Sequence, residues 1–137
     1  MQVNRSLKDK HFDWIDHALG RPVNPLRPSY RNYFAANAQG DIADHMATSP
    51  HWHENKSITC GQRIFNVTNA GRRALADHLK TIGDQHRLFT VEWDGMEMKQ
   101  VAKSHSNALY LKWLSVSDSY DISFIDFAST ARARLAQ

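Results

Sequence analysis

The chain has 137 residues, 42% of them hydrophobic and 23% charged, with a formal net charge of +3. That size and mixture fit one globular domain or two very small modules, with no low-complexity segment, internal repeat or glycine-rich phosphate loop. The single Cys60 excludes an internal disulfide, and no apolar run approaches the roughly 20 residues a membrane-spanning helix needs. No basic-then-apolar leader opens the chain, so a reducing cytoplasm is the expected location. The charge is uneven. Up to Asp84 there are eleven Lys and Arg against eight Asp and Glu, whereas from Gln85 onward there are six of each. An anionic partner would therefore meet the first part.

Ser6 opens the first predicted helix, with Asp9 at the capping-box position. Leu7, Phe12, Ile15, Ala18 and Leu19 are its buried candidates, and Gly20 stops it. His11, Asp13, Asp16 and His17 lie among them; Asp13 and His17, four apart, suit an exposed intrahelical pair better than a metal. Residues 21–28, RPVNPLRP, hold three prolines and read as a stiff, extended connector. Ser29 then caps a short helix with Tyr30, Tyr33 and Phe34 on its apolar side. Arg27 and Arg31 interleave with Tyr30 and Tyr33, which suits phosphate and base contacts. A buried aromatic side rimmed by arginines has the same spacing and is the expected arrangement.

Gln39-Gly40-Asp41 is a turn and helix start, and the helix runs to Thr48 with Ile42, Ala43 and Met46 inward. Asp41 and Asp44 leave His45 as its one candidate cation. A strand from Ser57, a turn at Cys60-Gly61 and a second strand from Gln62 follow. His51, His53 and Cys60, with His45 nearby, are metal-ligand types. Tight pairs such as C-x-x-C are missing, so no structural metal is expected. Ile64, Phe65 and Val67 suit a strand, and Thr68 suits the N-cap of a helix. Leu75, Leu79 and Ile82 give that helix one apolar stripe, and Gly83 ends it. Gly71 in the first turn costs about 1 kcal/mol relative to alanine and is a candidate for close backbone approach.

The pattern Phe65-x-Val67-Thr68-x-x-Gly71-Arg72-x-x-Leu75 resembles the second wing strand and following helix of MarR-like and PadR-like winged-helix proteins. The resemblance covers residues 41–79, and its sharp part is Thr68-x-x-Gly71-Arg72-x-x-Leu75. It implies that the helix ending at Thr48 is a recognition helix and that the two strands after it are the wing. It further implies a nucleic-acid-binding edge comprising Arg27, Arg31, His45, Lys56, Gln62 and Arg63. The helix carrying Arg72 and Arg73 would be open to packing against a second copy, as a homodimer. This chain departs from the pattern in its recognition helix, which is about two turns long and carries two aspartates that phosphates repel.

Beyond Gly83-Asp84, Phe89, Val91 and Trp93 alternate with polar residues up to Asp94-Gly95, a strong two-residue hairpin signal. Met96 opens the return strand, so Trp93 should oppose Met96 and Val91 oppose Met98. A broadly apolar helix capped by Ser104 or Ser106 follows. The final helix starts near Ser123, buries Phe124, Phe127, Ala128 and Ala131, and carries Arg132 and Arg134 near its C-terminus. The expected fold class is α+β. A winged-helix-like part over residues 1–84 is followed by a ββα(α) module over 85–137 that shares or abuts its core.

Two readings of function follow. The first is a small nucleic-acid-binding accessory protein that contacts phosphates through the basic winged-helix-like edge. The alternative is a protein-interaction module of phage or mobile-element origin that inhibits a host protein or nucleoprotein complex, an anti-CRISPR protein being one example; it would explain the acidic, shortened helix. No paired carboxylates, nucleophile–base motif or cofactor loop stands out, so neither catalysis nor a cofactor is expected.

Overall fold

Two antiparallel three-stranded sheets, each with its own helices, form an α+β chain in the computed structural model, which describes residues 2–57 and 61–136. Their cores belong to separate units, Gln2–Asp84 and Gln85–Gln137. No helix among the described residues is long and apolar enough to cross a membrane.

The first unit runs α1 (Lys10–Ala18), β1 (Phe34–Asn37), α2 (Asp41–Thr48), β2 (Trp52–Glu54), β3 (Gln62–Val67) and α3 (Asn69–Thr81). Strand β3 is central, antiparallel to β1 on one side and to β2 on the other. Phe65 and Val67 from β3 pack with Ile15, Leu19, Met46 and Leu75. Thr68 caps α3 as expected. Its hydroxyl accepts the Gly71 N–H at 3.1 Å and donates to the Pro50 carbonyl at 2.7 Å. The close approach at Gly71 is real: a Cβ there would lie 2.5 Å from the His51 carbonyl oxygen and 2.7 Å from Val67 Cγ1. The gain in helix–sheet packing outweighs glycine's poor helix propensity.

Several local expectations fail for identifiable reasons. Asp9, not Ser6, is the N-cap of α1 and accepts the His11 N–H at 3.0 Å. Residues 29–33 are not helical, and Phe34 begins β1. The Asn32 amide bonds both backbone groups of Val67, at 2.7 and 3.0 Å, which draws this segment out alongside the end of β3. The strand expected from Ser57 lies earlier, at Trp52–Glu54. Ser57 sits in a turn, where its N–H and hydroxyl both donate to Asn55 Oδ1. The rest of that expected strand and the turn at Cys60 fall outside the described residues. Ile82 is exposed, because α3 reaches its C-cap there and the apolar stripe ends at Leu79.

The largest departure concerns Asp16. It is fully buried, and Arg5 grips it with two hydrogen bonds of 2.6 and 2.9 Å. Arg21 adds a third at 3.0 Å and bonds Asp13 at 2.8 Å. Asp13 also accepts the Leu7 N–H, so the expected Asp13–His17 pair gives way to a buried ion network. Arg5 continues to the Pro22 carbonyl and to Asp84, just past α3. The turn after α1 uses two successive left-handed residues, Gly20 (φ 80°) and Arg21 (φ 53°). That conformation is unfavourable for arginine, and the two carboxylates hold it.

The second unit runs β4 (Arg87–Trp93), β5 (Met96–Ala102), α4 (His105–Val116), α5 (Phe124–Thr130) and β6 (Arg132–Leu135), with sheet order β5-β4-β6. Asp94 and Gly95 both take positive φ, as a tight hairpin turn of matching twist requires. Trp93 opposes Met96 and Val91 opposes Met98, in the expected register. Ser104 and Ser123 cap α4 and α5 by accepting the N–H groups of Asn107 and Asp126. Arg132 and Arg134 do not end a helix. They belong to β6, which satisfies the second edge of the buried strand β4. Arg134 there reaches Glu97 at 2.8 Å and Glu92 at 3.4 Å.

Two truncations test the two cores separately. Asp16→Ala takes from the buried Arg5 its closer, two-pronged carboxylate and leaves it only Asp84 at 3.3 Å among the ion pairs of the described residues, so it is expected to destabilise by about 3–5 kcal/mol. Trp93→Ala, beside Phe127 with ring centroids 5.3 Å apart, should lose a comparable ~3–5 kcal/mol. Urea unfolding followed by fluorescence and circular dichroism checks both. An unchanged midpoint for either variant would remove that side chain from its core.

Candidate nucleic-acid interface

No Asp or Glu lies between Asp16 and Asp41, whereas Arg21, Arg27 and Arg31 do. Prolines at 22, 25 and 28 fix φ and remove backbone donors, so neighbouring carbonyls need donors from elsewhere. Arg72, from the first turn of α3, supplies them. Its guanidinium donates to the Pro25 carbonyl at 3.0 Å, the Arg27 carbonyl at 2.9 Å and Ser29 Oγ at 3.1 Å. Burial lowers the Arg72 pKa, as for any cation drawn from water. Ser29 Oγ donates in turn to the Arg31 carbonyl at 2.7 Å. Asn66 donates to the Asn32 carbonyl at 2.6 Å, and the Tyr33 N–H donates to the Ala18 carbonyl at 3.2 Å. The connector is thus stapled along its backbone from residue 25 to residue 33.

Its two tyrosines stand in solvent instead. Tyr30 is 72% exposed and Tyr33 48% exposed, so the expected buried aromatic side is not formed. Tyr30 leans on Gly20, where an added Cβ would come 2.2 Å from the ring. Arg31 stacks on Tyr33 with Cζ 4.3 Å from the ring centroid, and donates to the Ala18 and Tyr33 carbonyls. The exposed Arg27 side chain has no hydrogen bond or ion pair among the described residues.

The other expected contacts lie elsewhere and are differently occupied. Arg63 on β3 makes a two-pronged pair with Glu54 on β2, at 2.7 and 3.0 Å, with Asp44 of α2 a further 3.9 Å away. The Glu54 hydrogen bond raises the Arg63 pKa, and the same bond lowers that of Glu54. A guanidinium shared between two carboxylates offers little to phosphate. Gln62 is exposed at the start of β3, its backbone in register with Asn37 of β1. Lys56 is exposed in the segment after β2. His45 on α2 places Nε2 2.7 Å from Nδ1 of His11, with Trp14 edge-on at 6.1 Å. Burial, then the charges of His11 and His51, push its pKa down, so at neutral pH α2 gains no cation from it.

The structure therefore carries Arg27 and Arg31 on one hydrogen-bonded stretch, puts Lys56, Gln62 and Arg63 on and beside strands β2 and β3, and pairs His45 with α1. Among the described residues no group of three His, Cys, Asp or Glu is arranged to hold a metal. The Arg72 clamp and the Asn32 staple were missed from sequence. The proline-rich, acid-free run was the available signal, since its carbonyls had to find donors. No protein-family model matches the chain, and no curated protein or solved structure matches it either.

The His45 environment gives a pH test. Its folded pKa lies below the ordinary 6.5, so on acidification the unfolded chain binds its proton first. The stability tied to neutral His45 is complete above that value and is lost as pH falls below it. Between about pH 7.5 and about pH 5.5, the melting temperature should fall more steeply for wild type than for His45→Gln. Equal slopes would show that His45 is not desolvated.

Proposed function

We propose that this chain is a nucleic-acid-binding accessory protein of the cytoplasm, acting by binding rather than by catalysis, with its contact surface centred on residues 25–33. One observation carries the reading: two exposed tyrosines and two arginines stand on a stapled, acid-free stretch. Arginine serves phosphates and tyrosine serves bases. Lys56 adds an exposed cation after β2. The order helix, edge strand, helix and hairpin, with β3 central, supports the winged-helix resemblance.

Duplex reading through α2 has less support, because Asp41 and Asp44 repel phosphate and Arg63 is already paired. Affinity for random duplex is accordingly expected in the weak range of roughly 10⁻⁴–10⁻⁶ M. Binding to random-sequence nucleic acid should weaken with salt. Arg27→Ala and Lys56→Ala should each lower the log–log salt slope by about one unit, and Arg63→Ala should leave it unchanged. Failure of the wild type to bind any nucleic acid at about 50 mM salt would overturn the reading.

A second reading, an inhibitor of a host protein or nucleoprotein complex in the manner of anti-CRISPR proteins, is favoured by a different observation. Ile125 on α5 is 80% exposed, and Tyr110 and Leu114 on α4 are also exposed. Tyr110 meets Phe124 of α5 at 5.6 Å, so exposed apolar side chains stand on both helices of a packed pair. Patches of this kind mark protein contacts. A stoichiometric host-protein partner that wild type holds and Ile125→Asp loses would favour this reading over the first.

A further inference from the structure

We propose that the ligand of the 25–33 connector is single-stranded nucleic acid, with bases stacked on Tyr30 and Tyr33 and the phosphate chain met by Arg27. This rests on the nucleic-acid reading above and narrows it to a substrate class.

The aromatic faces decide between strands and duplex. What an exposed tyrosine offers most strongly is the face of its ring. In a duplex the base faces are already stacked on one another, and only base edges reach the grooves. In a single strand each base has a face to give, and stacking tolerates any sequence. Tyr33 already carries the Arg31 guanidinium at 4.3 Å. A base on its other side would complete a guanidinium–tyrosine–base stack, the arrangement that cation–π and stacking attraction both favour. Tyr30 is steadied by its contact with Gly20 yet keeps most of its surface in water.

Both tyrosines are tied to the end of α1, Tyr30 through Gly20 and Tyr33 through its N–H to Ala18. One short strand is therefore the natural occupant. Charge count agrees. Duplex binders neutralise many phosphates, whereas the connector offers Arg27, unpaired among the described residues, and the half-buried Arg31. The connector itself adds no carboxylate, since no Asp or Glu lies between Asp16 and Asp41 in the sequence. Preorganisation completes the case. Arg72, Ser29, Asn32 and Asn66 hold the backbone, so little ordering is left for the ligand to induce.

The test is fluorescence anisotropy of the full chain with labelled oligo-dT and oligo-U of about 12 nucleotides, a random duplex of about 20 base pairs, and poly-glutamate, over a salt series. Wild type should bind both single strands more tightly than the duplex. Tyr30→Ala and Tyr33→Ala should each weaken single-strand binding about 5- to 100-fold at an unchanged salt slope, and Tyr30→Phe should restore it, since the face and not the hydroxyl is used. Arg27→Ala should lower the slope instead. Circular dichroism confirms that each variant folds. Duplex bound as tightly as single strands, or tyrosine variants that bind like wild type, would overturn this inference while leaving the nucleic-acid reading in place. No binding to any oligonucleotide would end both. Poly-glutamate bound through Arg27 with no oligonucleotide bound would assign the surface to an acidic protein.

Discussion

A carboxylate with no access to solvent, held between two arginines, sets the geometry of the first unit. Asp16 sits on α1; Arg5 comes from the segment before it and Arg21 from the turn after it. Through Arg5 the same network reaches Pro22 and Asp84, so both ends of the unit meet at α1. A buried ion network is weak evidence of stability, because desolvation offsets much of the attraction. Its consequence is geometric: a one-sided loss leaves a buried charge, so the partners are held in one arrangement. The left-handed turn at Gly20 and Arg21 is part of that arrangement, and the connector leaves from it. Tyr30 rests on that turn, so its placement is linked to Asp16 through Gly20 and Arg21.

The net charge of +3 gives a poor picture of the surface that carries it. Arg5 and Arg21 are tied to buried carboxylates, Arg63 to Glu54, Arg134 to Glu92 and Glu97, and Arg72 to the carbonyls of the connector. Arginine's fork of donors suits it to these internal roles as well as to phosphate. Arg27 and Lys56, by contrast, are exposed, as are Lys8, Lys10, Arg73 and Lys80 elsewhere in the same unit. The apolar side chains are sorted in the same way. Most of the aromatic rings pack inward or against one another, whereas Tyr30 and Tyr33 on the connector stay 72% and 48% exposed.

Local chemistry was legible in the sequence wherever a few adjacent residues decide it. The caps at Thr68, Ser104 and Ser123, the Asp94-Gly95 turn with its register, and the tight fit at Gly71 all follow from short motifs. Long-range pairing was not legible. Residues 29–34 have helical spacing, yet Asn32 and Phe34 find their partners on β3 more than thirty residues away. Residues 132–135 likewise pair with β4, 40 to 46 residues earlier. Asp16 reads as one more polar residue on a helix until Arg5 and Arg21 are folded around it. For the candidate site, the interleaving of Arg27, Tyr30, Arg31 and Tyr33 was visible. Which way the rings faced was not, because a helix would have buried them and the stapled strand-like backbone exposes them.

The most direct measurement is photochemical cross-linking of the intact protein to a single-stranded oligonucleotide carrying 5-iodouracil, followed by peptide mapping. This base cross-links efficiently to aromatic rings it stacks upon, so contact is read without relying on affinity. Cross-links at Tyr30 or Tyr33 are expected, and they should disappear in the corresponding alanine variant. Cross-links confined to α2 or the β2–β3 hairpin, with none on the connector, would contradict the central claim that the stapled tyrosines are the contact surface.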